Sequence, residues 1–306
     1  MTRKPITFAL ATVCCFLVSL DAIAQAPQQP SPWQFTFQLG GAHQSQVDLK
    51  DTEGGFTADR WFASAGLDYG WSRRDSVGIS VGAGRANYEF DEDTLLGGGM
   101  PWGKVEDQRL SFTGRFGFGE TGSMIIVPSV RLNKESSASS SDARSYGLLA
   151  AAFWRISDTL TIGPGLGVFT RLEDSTRVFP ILAIDWKFAE KWSLSTGRGL
   201  AASQGPGLTL NYQLTRSWNL GLTGRYEDVE FRLDDEGPAP NGIGRDQSFP
   251  LVLSARLEAE PNLGFSIFAG VELGGRLTLL DEFDQEVQES DYDPSALFGA
   301  TFEIKF

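Results

Sequence analysis

The sequence holds 306 residues, with 39 Asp and Glu against 26 Lys and Arg, for a formal net charge of -13. That balance argues against nucleic acid as a partner, because phosphate binding needs a basic face. One His and two Cys exclude a metal cluster built on those ligands, and neither metal nor organic cofactor is expected.

Residues 1–24 read as a cleaved secretory signal. Arg3 and Lys4 give the positive start, Phe8 to Leu20 the apolar run, and Ala22-Ile23-Ala24 a small-x-small cleavage site. The run is shorter than the roughly 20 residues of a membrane helix. Cys14 and Cys15 lie inside it and leave with it. Residues 25–32, rich in Gln and Pro, read as a disordered lead.

From Trp33 onward the pattern has period two. Trp33, Phe35, Phe37 and Leu39 alternate with polar residues, as do Leu110, Phe112, Gly114, Phe116 and Phe118. Strand side chains point to opposite faces, so each such segment has one apolar and one polar face. Fourteen segments follow, near 33–44, 60–71, 76–88, 105–118, 123–133, 144–156, 159–170, 177–188, 192–200, 206–215, 218–232, 248–258, 263–276 and 295–306. Short connections (72–75, 119–122, 157–158, 189–191, 216–217, 259–262) alternate with longer ones (45–59, 89–104, 134–143, 171–176, 201–205, 233–247, 277–294). The expected fold is all-β: an antiparallel transmembrane up-and-down β-barrel over 33–306, with about 14 strands, or 12 as the alternative. A soluble β-sandwich also alternates. Against it, Trp33, Trp71, Trp154, Trp186, Trp192 and Trp218 lie near the short-turn ends, where a membrane interface gathers amphipathic rings.

The last segment alternates through Phe302, Ile304 and Phe306 and resembles the assembly signal of bacterial outer-membrane β-barrels. Signal, aromatic girdle and loop asymmetry resemble the same superfamily, and the strand count is similar to that of monomeric 14-stranded porins. The stretch from Phe179-Pro180-Ile181 to Trp192, with Gly221 to Arg232, also resembles a barrel family of unknown function. The resemblance implies a Gram-negative outer membrane, with its lipids, lipopolysaccharide and the barrel-assembly machinery as partners. It further implies porin-like passive diffusion of small-molecule solutes. A purely structural barrel without transport is the alternative.

By parity the lumen row includes Arg109, Arg115, Arg131, Arg155, Lys187, Arg225, Arg256, Arg276, Asp68, Asp107, Asp185, Glu258, Glu272 and Glu303. Facing lipid at mid-depth, each Arg or Lys would cost ~2–4 kcal/mol. Fourteen strands should leave a pore unless a loop folds in. The pattern changes after Ala83 toward Tyr88 and Phe90, and after Tyr226 toward Val229, Phe231 and Leu233. One-residue bulges near Gly84 and Glu227–Asp228 would restore it. The longer loops are acidic (Asp91-Glu92-Asp93, Asp234-Asp235-Glu236, and seven carboxylates over 281–293) but lack calcium-loop spacing, and they read as solvated surface.

Two further patterns bear on activity. His43 and Ser45 continue the lipid-facing row of the first strand, with Asp59 on the same face of the next. His and Ser two apart near the outer rim resemble outer-membrane phospholipases, which makes a lipid-face esterase the weak catalytic alternative. The segments over 123–188 carry an apolar inward row, including Ile125, Val127, Phe153, Phe169, Phe179 and Ile181. Their lipid-facing row holds Pro128, Pro164 and Pro180, each of which removes a ladder hydrogen bond. Either an inward-folded loop packs on this wall, or the wall has a side opening for apolar compounds. The latter resembles long-chain fatty-acid transporters, which carry a long N-terminal plug before the first strand.

Overall fold

A computed structural model describes residues 31–306 except 93, 95, 173–174, 197–206 and 261. The export signal, most of the 25–32 lead and the 201–205 loop lie outside the described residues. Sixteen strand segments run in chain order. They are β1 (Trp33–Asp48), β2 (Gly55–Gly70), β3 (Ser76–Phe90), β4 (Lys104–Phe118), β5 (Gly122–Glu135), β6 (Arg144–Ser157), β7 (Leu160–Thr170) and β8 (Thr176–Trp186). Then follow β9 (Trp192–Thr196), β10 (Gly207–Gln213), β11 (Trp218–Arg225), β12 (Glu227–Arg232), β13 (Ile243–Glu260), β14 (Leu263–Leu280), β15 (Glu286–Tyr292) and β16 (Ser295–Lys305).

Neighbours in sequence pair antiparallel around the ring, and β16 joins β14 to β1. The seam is locked at its end by reciprocal backbone hydrogen bonds between Phe35 and Phe306 (3.1 and 2.9 Å). β11 and β12 share one register against β13 and count as one strand, as do β15 and β16 against β14. The result is a closed barrel of fourteen strands, which satisfies backbone groups without an open edge.

The outward rows are apolar, with Leu67, Ile79, Phe112, Leu148, Leu182, Leu253 and Ile267 all exposed. The six predicted tryptophans at the short-turn end are also exposed, and five of them, all but Trp218, join a belt of ring contacts, such as Trp33–Tyr69 at 4.7 Å and Trp192–Tyr212 at 4.7 Å. An apolar exterior around a polar interior is the inverse of a soluble protein, and it fits a barrel whose solvent on the outside is lipid. The short turns are tightly tied. In the first, the Ser72 hydroxyl (2.5 Å) and the Gly117 N–H (2.7 Å) donate to Asp75 and hold its carboxyl below the ordinary range.

The other end departs from the sequence expectation. Strands rise into segments read as loops: β1 reaches Asp48, β2 starts at Gly55, and β13 starts at Ile243. Both predicted bulges are absent. β2 and β3 keep one register past Gly84, and β11 and β12 keep one register against β13 through Tyr226. The pattern changes for another reason: Tyr88, Phe90, Val229 and Phe231 lie on inward parity. Above the lipid-facing band the sheet turns its apolar residues in and its polar residues out. The observed irregularities fall instead at Gln44/Val47, Arg155/Ser157, Gln247/Phe249, Glu258/Glu260 and Leu279/Leu280.

Of those inward apolar residues, Val229 and Phe231 belong to a four-stranded flap, ordered β12-β13-β14-β15, while Tyr88 and Phe90 lie on β3 beneath it. Its strands break at one level, at Tyr226, at the Gln247/Phe249 irregularity, at Gly274 and at Asp293–Pro294. Gly274 has φ +57, a left-handed conformation that favours glycine. The flap bends across the mouth. Its edge strand β12 pairs in parallel with β5 at Arg232↔Lys134, six places away around the ring, which no strand can reach without crossing the lumen.

Candidate functional site

The flap lays Phe231, Leu277, Leu279 and Tyr292 on Val47, Phe56, Tyr88, Phe90, Trp102 and Val105 from β1 to β4 and the loop between β3 and β4. Aromatic rings meet edge to face at the centre, Phe56 with Tyr292 at 5.2 Å and Trp102 with Phe231 at 5.1 Å. This apolar cap closes the long-loop end over that half of the barrel.

A polar layer lies directly beneath. Arg60 donates from Nη1 to Glu272 Oε1 (3.1 Å) and from Nη2 to Gln44 Oε1 (2.8 Å) and Asp246 Oδ2 (3.3 Å). Asp246 also accepts from the Tyr88 hydroxyl (2.8 Å) and the Tyr292 hydroxyl (3.0 Å). Two buried carboxylates thus share one guanidinium, and Glu272 Oε2 has no hydrogen-bond partner. Sequence reading found Glu272 but missed Arg60, Asp246, Tyr88 and Tyr292. Arg60 has the lumen parity of Asp68 on the same strand, so extending that row would have found it. Asp246 fell in a segment read as loop.

Below this roof lies a cavity of about 540 Å³. Its lining includes the predicted Asp68, Asp107, Arg109, Arg131, Arg225 and Glu272. Asp107 pairs closely with Arg131 and stands 4.0 Å from Arg109. Arg225 stands 3.7 Å from Glu227. Further round the wall, Glu303 accepts from Gln38 (2.6 Å) and Arg256 (2.9 Å) and lies 3.0 Å from Lys305, while Glu258 pairs with Arg256 at 3.3 Å. Arg115, Arg155, Asp185 and Lys187 lie nearer the short-turn end. Arg276 lies elsewhere. It sits on the outward face of the flap, paired with Asp291 (2.8 Å) and Glu289 (2.9 Å), because the extra residue at Gly274 shifts its parity.

The apolar wall of β5 to β8 is not covered by the cap. Ile125, Val127, Phe153, Phe169, Phe179 and Ile181 are half-buried, and the Phe169 and Phe179 rings stack at 5.6 Å. Cross-strand pairs drop out beside Pro128 between β4 and β5 and beside Pro164 between β6 and β7. The inward-folded flap meets this side through polar groups instead. Asp228 pairs with Arg177 on β8, Glu230 pairs with Arg171, and Asn133 Nδ2 donates to Glu230 O (3.1 Å).

His43 and Asp59 pair across β1 and β2, with Nδ1···Oδ1 at 2.7 Å, beside the exposed Phe298 ring. Ser45 Oγ accepts from the Ala296 N–H (3.1 Å) and makes no hydrogen bond with His43 among the described residues. The irregularity between Gln44 and Val47 interrupts the row that would have aligned them.

No protein-family model matches the chain, and no curated protein matches its sequence. Among solved structures it is similar to an outer membrane channel from Pseudomonas putida F1, at 9% identity over 91% of this chain and 97% of that one, TM-score 0.49. It is similar to the toluene transporter TodX of Pseudomonas putida at 6% identity over 90% of each chain, TM-score 0.43. A FadL homologue from Pseudomonas aeruginosa matches at 12% identity over 89% of each chain, TM-score 0.43. At these identities and scores no residue role or substrate carries over to this chain.

Proposed function

We propose that the chain is an outer-membrane channel for passive diffusion of small polar solutes. The observation that carries this reading is the cavity of about 540 Å³, walled by inward polar rows inside a closed barrel with an apolar exterior. Charged side chains on an inner wall need water, and continuous water is a path for solutes. The cap narrows that path at the long-loop end. Purified protein in planar bilayers is therefore expected to show small, discrete openings. Silence across a range of voltage and pH, with folding verified by heat-modifiable gel migration, would leave a structural barrel.

A second reading has its own observation. The half-exposed Phe169–Phe179 stack and the ladder gaps at Pro128 and Pro164 make the β5–β8 wall oily and less continuously paired. Apolar compounds would follow that wall toward the lipid. Phe179→Glu places a charge on it and is expected to abolish most uptake of an apolar compound while ion conductance survives. Equal loss of both, or of neither, would assign the wall to packing alone.

A further inference from the structure

Acidic chains are expected to favour cations, and the long-loop end of this one is crowded with carboxylates. The lumen row is different. We infer that the pore selects small anions over cations, with Arg115 a main determinant; this rests on the channel reading.

The argument is one of pairing. Several carboxylates on the lumen wall are shared by more than one donor cation. Asp107 holds Arg131 and lies at the margin of Arg109. Glu303 faces Arg256 and Lys305 and also accepts from Gln38. Asp185, on the rung of Arg155 with Thr161 between them and two residues before Lys187, makes no ion pair among the described residues, and neither do those two cations. The cations are less fully matched. Arg115 has no ion-pair partner among the described residues, and its guanidinium lies 5.8 Å from the centre of the Phe153 ring. A ring face attracts a cation without cancelling its charge.

The opposing carboxylates are Asp185, Glu258, which shares Arg256 with Glu303, and Asp68. Asp68 has no cation partner among the described residues, and its rung runs through Gly78 of β3 to Thr113, two residues before Arg115 on β4. Asp246 and Glu272 share Arg60, but they lie in the roof at 5% and 4% exposure, beneath the cap. What faces the water of the inner half is therefore basic, in a chain whose net charge is -13. Low-dielectric walls focus such a field along the pore. A lumen potential of roughly half kT gives an anion-to-cation preference of about threefold.

The test is the reversal potential of the purified protein in a bilayer under a potassium chloride gradient. The wild type should prefer chloride by about threefold. Arg115→Glu should bring the ratio to unity or below, and Arg115→Lys should keep it. A cation-selective wild type, or a reversal potential unmoved by Arg115→Glu, overturns the inference. A second readout needs no conduction: chloride line broadening by nuclear magnetic resonance on micelle-held protein. If no openings occur, the channel reading fails. Broadening that falls in Arg115→Glu then still supports an anion site, and equal broadening in both proteins overturns it.

Discussion

Replacing Arg60 with alanine is expected to cost about 3–5 kcal/mol of stability. Among the described residues the guanidinium is the only cation paired with Asp246 and Glu272, both buried. Its loss leaves two like charges together beneath the apolar cap, with the Tyr88 and Tyr292 hydroxyls alone to solvate Asp246. Burying an uncompensated charge costs far more than the net contribution of the pair that had matched it. Unfolding in urea from lipid vesicles would show the midpoint falling, and Arg60→Ala with Glu272→Gln should recover part of the loss. A change below about 1 kcal/mol would mean that water already reaches these carboxylates.

The second large effect is expected from Phe231→Ala. Phe231 is fully buried, against Tyr88 and Trp102. Removing a buried phenylalanine ring costs about 3–5 kcal/mol, because the surroundings collapse only partly into the cavity. Here the cost should fall on the flap rather than on the barrel, since β12 pairs with β13 but leaves the wall above β11. At the lower figure the open flap becomes about a hundredfold more populated. Single-channel records should show larger or longer openings, and amides of β14 near Leu277 should exchange faster than those near Phe265. Unchanged conductance with faster exchange would show that the conducting path does not run under the flap.

The barrel was legible in the sequence because lipid and lumen impose opposite demands on alternate residues, as on β4, where Leu110, Phe112 and Phe116 alternate with Arg109, Ser111, Thr113 and Arg115. Asp68, Arg109 and Arg131 were placed by parity alone. The flap was not legible, for the same reason. Above the lipid the demand reverses, so Phe231 on inward parity looked like a register error, and a bulge was the simplest repair. Strand extensions such as Ile243 to Gln247 carry polar residues on the outward face, which reads as loop when the solvent is assumed to be lipid. Arg276 shows a subtler limit. Its parity depends on one left-handed glycine, and composition gives no sign of which glycine adopts that conformation.

The cap draws its residues from the beginning and the end of the barrel, Val47 to Val105 on one side and Val229 to Tyr292 on the other. Leu49 bridges Tyr292, and Asp48 O accepts from the Asp293 N–H at 3.1 Å. These are among the longest-range contacts in the chain, and long-range contacts form late. Joining β1 to β16 closes the same loop of chain that the cap requires, so the entropy of that closure is lost once for both. The cylinder and its lid are therefore expected to appear together during assembly. A partly formed sheet would be open along its seam, but a completed cylinder lacking its lid should be a short-lived species.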